Sequence, residues 1–428
     1  MRYLAHLFIA LCITAAVVHA QDPQNAQQPS HPEKQQVWPT NGWATANPAS
    51  VGVDEQALLR LDKDFASGKY SHMWDSLAVF RCGKKIFERT YPHDYAKIYG
   101  KEAGERGPYN MRLTGRYNYF DPYWHPYYHA TDLHTMQSIS KTVTSVILGA
   151  AIERGDFKAA LDTPVLKFFD PSKVKNVDDR KRRMKLRDLL TMSAGLDWND
   201  EGFDTGDPKN DTSQMETTDD WVQYTIDKPM VAEPGKVWNY DSGATELLAY
   251  IFQKETGQDI DDYAQKYLFA PLGMRHEWKR TYLGVVDTEG GLYLNGSDLA
   301  KIGYLYLHGG VWEGKRIVSS EWVKDSLTPY FQTEEPQIAG DKVVGVIPFN
   351  YGFNWWLYKL PDSTEYVWMA RGFGGQHLEV FPQEGLIVTL MAWDFLPSST
   401  GTEPLPSVFL ALAKTKTCLA VPADTAAR

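Results

Sequence analysis

The sequence has few cysteines and no excess of positive charge. Only three of its 428 residues are cysteines, and 54 acidic residues outnumber 44 basic ones, giving a formal net charge of −10 at pH 7. This balance argues against a nucleic-acid partner. The basic run Arg180–Arg183 is too short to reverse it.

Three further features are missing. After the first twenty residues no apolar run reaches the ~18 residues that a membrane span needs. No internal repeat with a period of ~20–50 residues is present. The absence of any G-x-S-x-G sequence argues against a Ser-His-Asp hydrolase of the α/β type. What the chain does have is 43% hydrophobic and 13% aromatic residues, which is typical of a folded globular protein.

The N-terminus has the features of a secretion signal. Arg2 precedes an apolar run from Leu7 to Val18, and a small residue, Ala20, ends the segment. This pattern predicts a signal peptide over residues 1–20 that is removed on export. We therefore expect a periplasmic or secreted protein with no membrane span.

The cysteines allow at most one disulfide in the mature protein. Cys12 follows Leu11 rather than a small residue, so we do not expect it to carry a lipid anchor. Removal of the signal leaves Cys82 and Cys418. An oxidising compartment permits a bond between them, but the sequence does not show whether they are close.

Strand-like and helical segments are arranged so that both ends of the chain contribute strands. Residues 21–50 are expected to be a flexible linker rich in Gln and Pro, and residues 51–428 a folded domain. The predicted elements are a helix over 54–65, a hairpin over 77–87, strands at 351–358, 365–370, 376–381 and 386–393, and a final helix at 408–413. Residues 138–330 are predicted to be mainly helical. This order predicts an α/β (α+β) fold with an inserted helical lobe and a site in the cleft beside it.

A serine and a lysine stand at the start of an apolar helix. Ser138 and Lys141 are three residues apart, so they lie on the same face. Burial and the positive end of a helix both disfavour the ammonium form of a lysine, and a neutral lysine can take the proton of a neighbouring serine. The alternative is that Ser138 is an N-cap and Lys141 extends to solvent. The same spacing recurs at Ser172 and Lys175, among charges with no apolar helix behind them.

Two further segments strengthen the catalytic interpretation. Tyr240 ends a loop before an apolar helix, with Ser242 two residues on; a phenol near a lysine amine can share its proton. The alternative is a tyrosine in a turn with Ser242 as the cap. The third segment is a glycine run, residues 372–375, interrupted by Phe373 and followed by Gln376 and a strand. Glycines there allow the backbone to approach a ligand closely, or they form only a hairpin end.

These three elements, in this order, resemble the serine β-lactamase-like hydrolases: class C β-lactamases, penicillin-binding peptidases, and related esterases and amidases, including the 6-aminohexanoate-dimer hydrolase type. The family's S-x-x-K motif is matched by Ser138 and Lys141, its Y-x-N or Y-x-S motif by Tyr240 and Ser242, and its third, glycine-rich motif by 373–375. The likeness extends to 189–196 and 290–293 and covers about residues 52 to 413.

The resemblance implies a fold and a mechanism. The fold would be an antiparallel sheet built from both chain ends and flanked by helices, with an inserted helical lobe over about 138–330. Ser138 would form an acyl-enzyme, and Lys141 and Tyr240 would move protons, although which of them is the acylation base stays open. The N–H groups of Ser138 and Gln376 would hold the oxyanion. The remaining residues expected to bind substrate are Ser242, Phe373, Gly374 and Gly375. No metal or organic cofactor is implied.

One position departs from the family pattern. Phe373 stands where β-lactamases and D-Ala-D-Ala peptidases have a lysine for the substrate carboxylate. A charged hydrogen bond of this kind contributes about 1.5–3 kcal/mol, which a phenyl ring cannot replace, although Arg371 lies two residues away. The sequence therefore favours small-molecule esters or neutral amides as substrates. The alternatives are a β-lactamase or D-alanyl-D-alanine carboxypeptidase, and a catalytically silent binding protein of the same fold. The oligomeric state is not determined.

An aromatic segment precedes Ser138. It is expected either to roof an acyl or leaving-group pocket or to anchor a long loop, and it contains Tyr109, Tyr117, Tyr119, Phe120, Tyr123, Trp124, Tyr127 and Tyr128. His125, His129 and His134 lie in the same stretch, but their spacing, with no acidic partner, makes a poor metal site.

Overall fold

Strands from the two ends of the chain form one antiparallel sheet. The computed structural model describes residues 38–70, 73–105, 120, 131–200, 207, 209–339, 342–360, 365–395, 404 and 406–413. The strands are β1 (Trp74–Arg81), β2 (Lys84–Thr90), β3 (His134–Thr135), β4 (Glu277–Trp278), β5 (Leu292–Leu294), β6 (Val311–Trp312), β7 (Lys315–Arg316), β8 (Phe331–Ala339), β9 (Lys342–Tyr351), β10 (Trp356–Lys359), β11 (Tyr366–Gly372), β12 (Gln376–Phe381) and β13 (Leu386–Ala392).

The eight-stranded main sheet has the order β2-β1-β13-β12-β11-β10-β9-β8. Every neighbouring pair is antiparallel, and β1 pairs with β13 along its length. Two small sheets, β3-β5-β4 and β6-β7, lie outside it. The predicted fold class, an antiparallel sheet built from both chain ends, is confirmed.

Most of the α-helices in the described parts of the chain lie between β2 and β8; one precedes β1 and one follows β13. They are α1 (Glu55–Ala66), α2 (Tyr95–Ile98), α3 (Ile139–Glu153), α4 (Asp179–Arg183), α5 (Leu186–Leu190), α6 (Asp211–Thr217), α7 (Trp221–Ile226), α8 (Ser242–Thr256), α9 (Ile260–Ala264), α10 (Ala270–Leu272), α11 (Gly296–Leu307), α12 (Ser320–Ser326) and α13 (Pro406–Leu410), with a π-helical stretch at Gln265–Phe269. None of the helices in the described parts of the chain is long and apolar enough to cross a bilayer.

Helix α3 is buried on all sides. Residues 139–151 are all buried, and the helix contacts β11 of the sheet, α8 and α9. The side that carries small residues is covered by Trp322, because a Cβ added to Gly149 would lie 2.7 Å from the Cγ of that indole. A helix that is apolar all round belongs in a core. The mouth of α3 is therefore held between the sheet and the helical part of the molecule.

Local sequence signals mark several element boundaries. The Asp54 carboxylate accepts the N–H of Ala57 and so caps α1. The predicted hairpin is the β1–β2 pair, and the predicted strands at 365–370, 376–381 and 386–393 correspond to β11, β12 and β13.

The predicted strand over 351–358 is instead interrupted between β9 and β10. Asn354, inside the interruption, has a φ of +58°, and its N–H donates to the carbonyl of Leu190 at 3.0 Å. The carbonyl of Asn354 accepts the hydroxyl of Thr142 at 2.6 Å. Contacts with α5 and α3 therefore bend the chain at this point. The long β8–β9 hairpin was not predicted from the sequence.

Part of the expected linker is folded. Trp43 is buried against the ring of Phe80, at a centroid distance of 4.6 Å, and the N–H of Ala46 donates to the carbonyl of Lys85 at 3.1 Å. The folded body thus includes residues 38–50, whereas the sequence predicted a start at 51. Residues 21–37 and the predicted signal peptide lie outside the described residues.

Candidate active site

A strained turn presents Ser138 at the mouth of α3. Gln137, immediately before it, has a φ of +48°, a conformation that costs energy for a residue with a side chain. The turn is held by Ser140, whose hydroxyl donates to the carbonyl of Gln137 at 2.6 Å and accepts the N–H of Leu292 at 3.1 Å. The Met136 N–H also donates to the Leu292 carbonyl, at 2.8 Å. Strand β5 therefore fixes the segment that carries Ser138.

The side chain of Ser138 is engaged by Lys141. Lys141 Nζ donates to Ser138 Oγ at 2.8 Å, and Ser138 makes no capping hydrogen bond to the helix. Lys141 is 1% exposed, whereas Ser138 is partly exposed. The lysine thus does not extend to solvent, and the hydroxyl is not used as a cap. An accessible hydroxyl beside a buried amine is the arrangement that nucleophilic catalysis needs.

Glu289 supplies the other two acceptors around Lys141. Lys141 Nζ lies 2.8 Å from the Glu289 carbonyl oxygen and 3.4 Å from its Oε2 atom. Burial raises the pKa of the Glu289 carboxyl to about 7, with Lys141 acting in the opposite direction. Glu289 was not predicted from the sequence, although the 290–293 segment of the resemblance begins at the next residue.

A second buried carboxyl supports the chain around Glu289. Glu246, on α8, has no exposed surface. Its Oε1 atom accepts the N–H groups of Thr288 and Glu289, at 2.8 and 3.0 Å, and the Thr288 hydroxyl at 3.1 Å. Burial holds the pKa of Glu246 well above its usual range, and Asp287 and Glu289 raise it further. Glu246 therefore fixes the backbone of Glu289.

Tyr240 lies on the other side of the lysine. Lys141 Nζ is 5.2 Å from the centroid of its ring, within the range of a cation–π contact. The ring is stacked on Trp356 at a centroid distance of 5.8 Å. Asn239, the residue before Tyr240, is held by Met192, because the Met192 carbonyl accepts the Asn239 N–H at 2.8 Å. Met192 itself has a φ of +54°. The structure thus brings Ser138, Lys141 and Tyr240 together.

Ser242 and Asp241 are engaged by other groups. The Ser242 hydroxyl donates to Asp200 Oδ2 at 2.6 Å. Asp241, rather than Ser242, caps α8, because its Oδ1 accepts the N–H of Ala244 at 3.0 Å. Burial, and then the neighbouring Asp200, raises the pKa of the Asp241 carboxyl to about 8. The predicted role of Ser242 in substrate binding stays a prediction.

The glycine run meets the nucleophile segment at Gly372. A Cβ there would overlap the carbonyl oxygen of Met136 and lie 3.1 Å from Gln137 Cβ. The next residue, Phe373, packs elsewhere. Its side chain is 42% exposed, and its ring stacks on the ring of Phe395 with 5.3 Å between the centroids. Only a glycine at position 372 therefore allows β11 to approach Ser138 so closely.

The rest of the predicted third motif forms a hairpin end. Gly374 and Gly375 have φ of +81° and +94°, and added Cβ atoms would meet Phe395 and Ala392. Gln376 is fully buried; its amide donates to the Ala392 carbonyl at 2.5 Å and accepts the Ala392 N–H at 3.2 Å. Its side chain therefore supports the sheet, and the proposed role of its N–H in the oxyanion hole stays a prediction.

The predicted histidine and aromatic features are only partly described. His134 Nε2 lies 2.8 Å from Asp75 Oδ2. Among the residues that the structure describes, no group of three His, Cys, Asp or Glu side chains is arranged to hold a metal ion. Phe120 is buried against Tyr99, at 4.9 Å between ring centroids. His125, His129 and the other aromatic residues of that segment lie outside the described residues.

Comparison with known proteins decides the family. Residues 72–413 match the family model described as Beta-lactamase. The chain belongs to this family. It is 25% identical over 276 residues to the 6-aminohexanoate-dimer hydrolase of Paenarthrobacter ureafaciens, a match that covers 61% of this chain and 67% of the relative. The family match, together with a relative named as a hydrolase, makes the chain a serine hydrolase of the Beta-lactamase family.

Solved structures show the same fold. A D-stereospecific amidohydrolase from Streptomyces sp. is 16% identical with a TM-score of 0.55, over 84% of this chain and 98% of that one. A family VIII carboxylesterase is 13% identical with a TM-score of 0.56, over 87% and 97% of the two chains. At these identities the likeness concerns the fold alone. The resemblance read from the motifs is thereby confirmed at the level of family and fold.

Proposed function

We propose that the protein hydrolyses carboxylic esters or small amides through an acyl-enzyme on Ser138. The observation that carries this proposal is the 2.8 Å contact between Lys141 Nζ and Ser138 Oγ, made by a buried lysine and a partly exposed serine at the mouth of a buried helix. A serine in this position can reach a substrate, while the amine that takes its proton is kept from water.

The proton steps follow from the positions of Lys141 and Tyr240. As Ser138 Oγ bonds to the substrate carbonyl carbon, its proton passes to the Lys141 amine. When the tetrahedral intermediate collapses, the bond to the leaving group breaks, and Lys141 or Tyr240 returns a proton to that group. Water then attacks the acyl-enzyme and the same groups move its proton.

The developing oxyanion would be held by backbone N–H groups. The first N–H groups of a helix have no partner within the helix, so the N–H of Ser138 at the mouth of α3 is one donor. The second is proposed to be the N–H of Gln376, at the far side of the hairpin whose Gly372 contacts Met136. Two such donors stabilise the oxyanion more than the neutral carbonyl, which lowers the barrier.

Three observations favour neutral acyl substrates. Phe373, at the position where β-lactamases and D-Ala-D-Ala peptidases have a lysine, is uncharged and 42% exposed. The guanidinium of Arg371 lies over the ring of Phe349, with its Cζ 5.5 Å from the ring centroid. The half-buried Tyr240 ring lies 5.2 Å from Lys141 Nζ, and the half-buried Trp238 ring packs beside it at a centroid distance of 6.3 Å. Short oligoamides of the 6-aminohexanoate type belong to this substrate class, and a relative is named for such a dimer.

Export is part of the proposal. The N-terminal pattern supports cleavage after Ala20 and release of the protein into the periplasm or the medium. N-terminal sequencing of protein from that fraction should begin at Gln21. An intact Met1 on protein that stays inside the cell would contradict export.

The reaction is tested with a panel of substrates and one variant. Wild-type protein should hydrolyse p-nitrophenyl butyrate and a small amide, and Ser138→Ala should abolish both turnover and covalent labelling by a fluorophosphonate. Rapid turnover of nitrocefin without ester or amide hydrolysis would instead indicate a β-lactamase. Failure of wild-type protein to be labelled would indicate a silent binding protein, and activity retained by Ser138→Ala would place the nucleophile elsewhere.

A further inference from the structure

The Lys141 amine has three hydrogen-bond partners, and two of them belong to Glu289. The partners are Ser138 Oγ at 2.8 Å, the Glu289 carbonyl oxygen at 2.8 Å and Glu289 Oε2 at 3.4 Å. A neutral amine has two hydrogens and one lone pair. In this neutral form, when both hydrogens are donated to Glu289, the lone pair faces Ser138, and the hydrogen bond between the two reverses so that the Ser138 hydroxyl donates to the amine. This orientation is the one needed to accept the proton of the serine.

Glu289 is rigidly placed for this task. Its side chain is 6% exposed and that of Lys141 is 1% exposed, so water competes little for either group. The Glu289 N–H donates to Glu246 Oε1 at 3.0 Å, and the Gly290 N–H donates to Asp287 Oδ1 at 2.9 Å. Both flanks of the residue are thus anchored, and the carboxylate is held against the amine without depending on a flexible loop.

Other charged groups face this pair from the surrounding elements. Asp287 and Asp200 raise the pKa of the Glu289 carboxyl, and Lys141 lowers it; Glu246 interacts with Glu289 from α8. Asp241, at the start of α8, interacts with Lys141. The buried Lys279 also packs nearby: its N–H donates to the Gly291 carbonyl at 2.9 Å, its carbonyl accepts the Asp287 N–H at 3.0 Å, and its Nζ lies 5.2 Å from the centroid of the Tyr293 ring. Lys141 is the cation whose Nζ lies 3.4 Å from the Glu289 carboxylate.

We infer that Glu289 is a positioning residue that completes a Ser138–Lys141–Glu289 relay, in which its carboxylate orients the lysine amine and stabilises the ammonium that forms during acylation. The inference rests on the proposed function of Ser138 and Lys141. The role is comparable to that of the carboxylate in a Ser-His-Asp triad, which orients the base and stabilises its charged form without taking the proton.

The proton balance is simple. The Ser138 hydroxyl proton moves to Lys141 Nζ as the bond from Oγ to the carbonyl carbon forms, so the amine becomes an ammonium. The ionised Glu289 carboxylate keeps its hydrogen bond throughout and faces the new positive charge. The proton then leaves Lys141 for the departing group as its bond to carbon breaks. Glu289 can do this only while it is ionised, and burial raises its pKa to about 7.

The test measures the rate at which a fluorophosphonate labels Ser138 between pH 5 and 9. This reaction needs the same proton transfer, since the Oγ–P bond forms and fluoride leaves, but it does not depend on the natural substrate. Wild-type labelling should rise with pH through an inflection near 7. Glu289→Gln, which keeps an acceptor but carries no charge, should lose the inflection and label about 10²-fold more slowly at its best pH. Glu289→Asp should recover part of the rate and retain an inflection.

Asp188→Asn is the matched control, because Asp188 is a buried carboxyl on α5 whose Oδ2 atom accepts the N–H of Lys185 at 2.8 Å and whose neighbouring charges are Lys185, Asp162 and Arg187. It should keep the wild-type pH profile. The inference is overturned if wild-type labelling shows no inflection near pH 7, if Glu289→Gln keeps the wild-type rate and profile, or if Asp188→Asn loses rate and inflection to the same extent. Labelling with the expected profile by a protein that hydrolyses no ester or amide would leave the relay intact and refute the proposed function alone.

Discussion

The hydroxyl of Ser242 donates a hydrogen bond of 2.6 Å to Oδ2 of Asp200. The same oxygen accepts the Ser242 N–H at 3.2 Å, and the other carboxylate oxygen of Asp200 accepts the hydroxyl of Thr212. Asp200 therefore ties the start of α8 to α6. Since Tyr240 lies two residues before Ser242, this connection also fixes the loop that carries the tyrosine.

Replacing Ser242 by alanine should weaken folding more than it weakens chemistry. The variant loses a hydrogen bond to a carboxylate, which contributes about 1.5–3 kcal/mol, and kcat should fall by less than about tenfold. Urea denaturation and steady-state kinetics measure the two effects. A kcat loss above 10²-fold with unchanged stability would mean that the Ser242 hydroxyl contacts the substrate, as the sequence motif predicted.

Removal of either proton-transfer group should leave a folded but nearly inactive protein. Lys141→Ala and Tyr240→Phe should each lower kcat by ~10²–10⁴-fold, the range for lost general acid–base catalysis. Tyr250→Phe is the control and should keep the wild-type rate. Tyr250 lies on α8, where its ring stacks on the ring of Phe169 with 4.8 Å between the centroids. Tyr240→Phe with the full rate would assign all proton transfer to Lys141.

A single methyl group on Gly372 should disable the site. In Gly372→Ala the new Cβ would overlap the Met136 carbonyl, so the segment carrying Ser138 or the end of β11 must shift. Overpacking of this kind costs about 1–3 kcal/mol, and a displacement of the nucleophile lowers kcat at least about 10²-fold. Gly104→Ala is the control, because its added Cβ has no neighbour within 4 Å. Equal activity of the two variants would contradict the close approach of β11.

The buried carboxyl of Asp241 should make stability depend on pH. Its pKa is about 8 in the folded protein and about 3.9 in an unfolded chain. Between these values the folded state holds a proton that the unfolded state has lost, so the free energy of unfolding falls as the pH rises. Asp241→Asn retains a capping oxygen and should reduce this slope by up to about 1.4 kcal/mol per pH unit.

Urea denaturation between pH 5 and 8 measures the slope for Asp241→Asn and for a control, Asp220→Asn. Asp220 caps α7 at the surface by accepting the N–H of Gln223 at 2.9 Å, so it presents the same cap chemistry without burial. The control should keep the wild-type slope. Parallel slopes for Asp241→Asn and wild type would show that Asp241 is ionised in the folded protein.

The disulfide at Cys82 should contribute to stability. Cys82 is disulfide-bonded in the structure, in the tight turn between β1 and β2. Cys12 and Cys418 lie outside the described residues. If the signal peptide is removed, a non-reducing peptide map should show Cys82 joined to Cys418. Cys82→Ser should lower the free energy of unfolding by about 2–4 kcal/mol; an unchanged melting temperature on reduction of the wild type would contradict this.

Much of the sheet could be predicted because its signals are local. Alternating and continuous apolar runs located β11, β12 and β13 to within about two residues, a usual precision for boundaries. The β8–β9 hairpin and the break at Asn354 could not be found in this way. The break depends on partners far along the chain, Leu190 and Thr142, and no local pattern records such contacts.

The sequence by itself determined the family and the chemical groups of the site, because S-x-x-K, Y-x-S and a glycine run are short motifs whose spacing is set within one helix or one turn. Only the tertiary structure decided how those groups are used. It placed Glu289, which lies 148 residues from Lys141, against the lysine amine. It also directed Ser242 to Asp200 and brought Gly372 against Met136. Such contacts arise when distant segments pack together, and burial then sets the charge of the carboxyl groups that meet there.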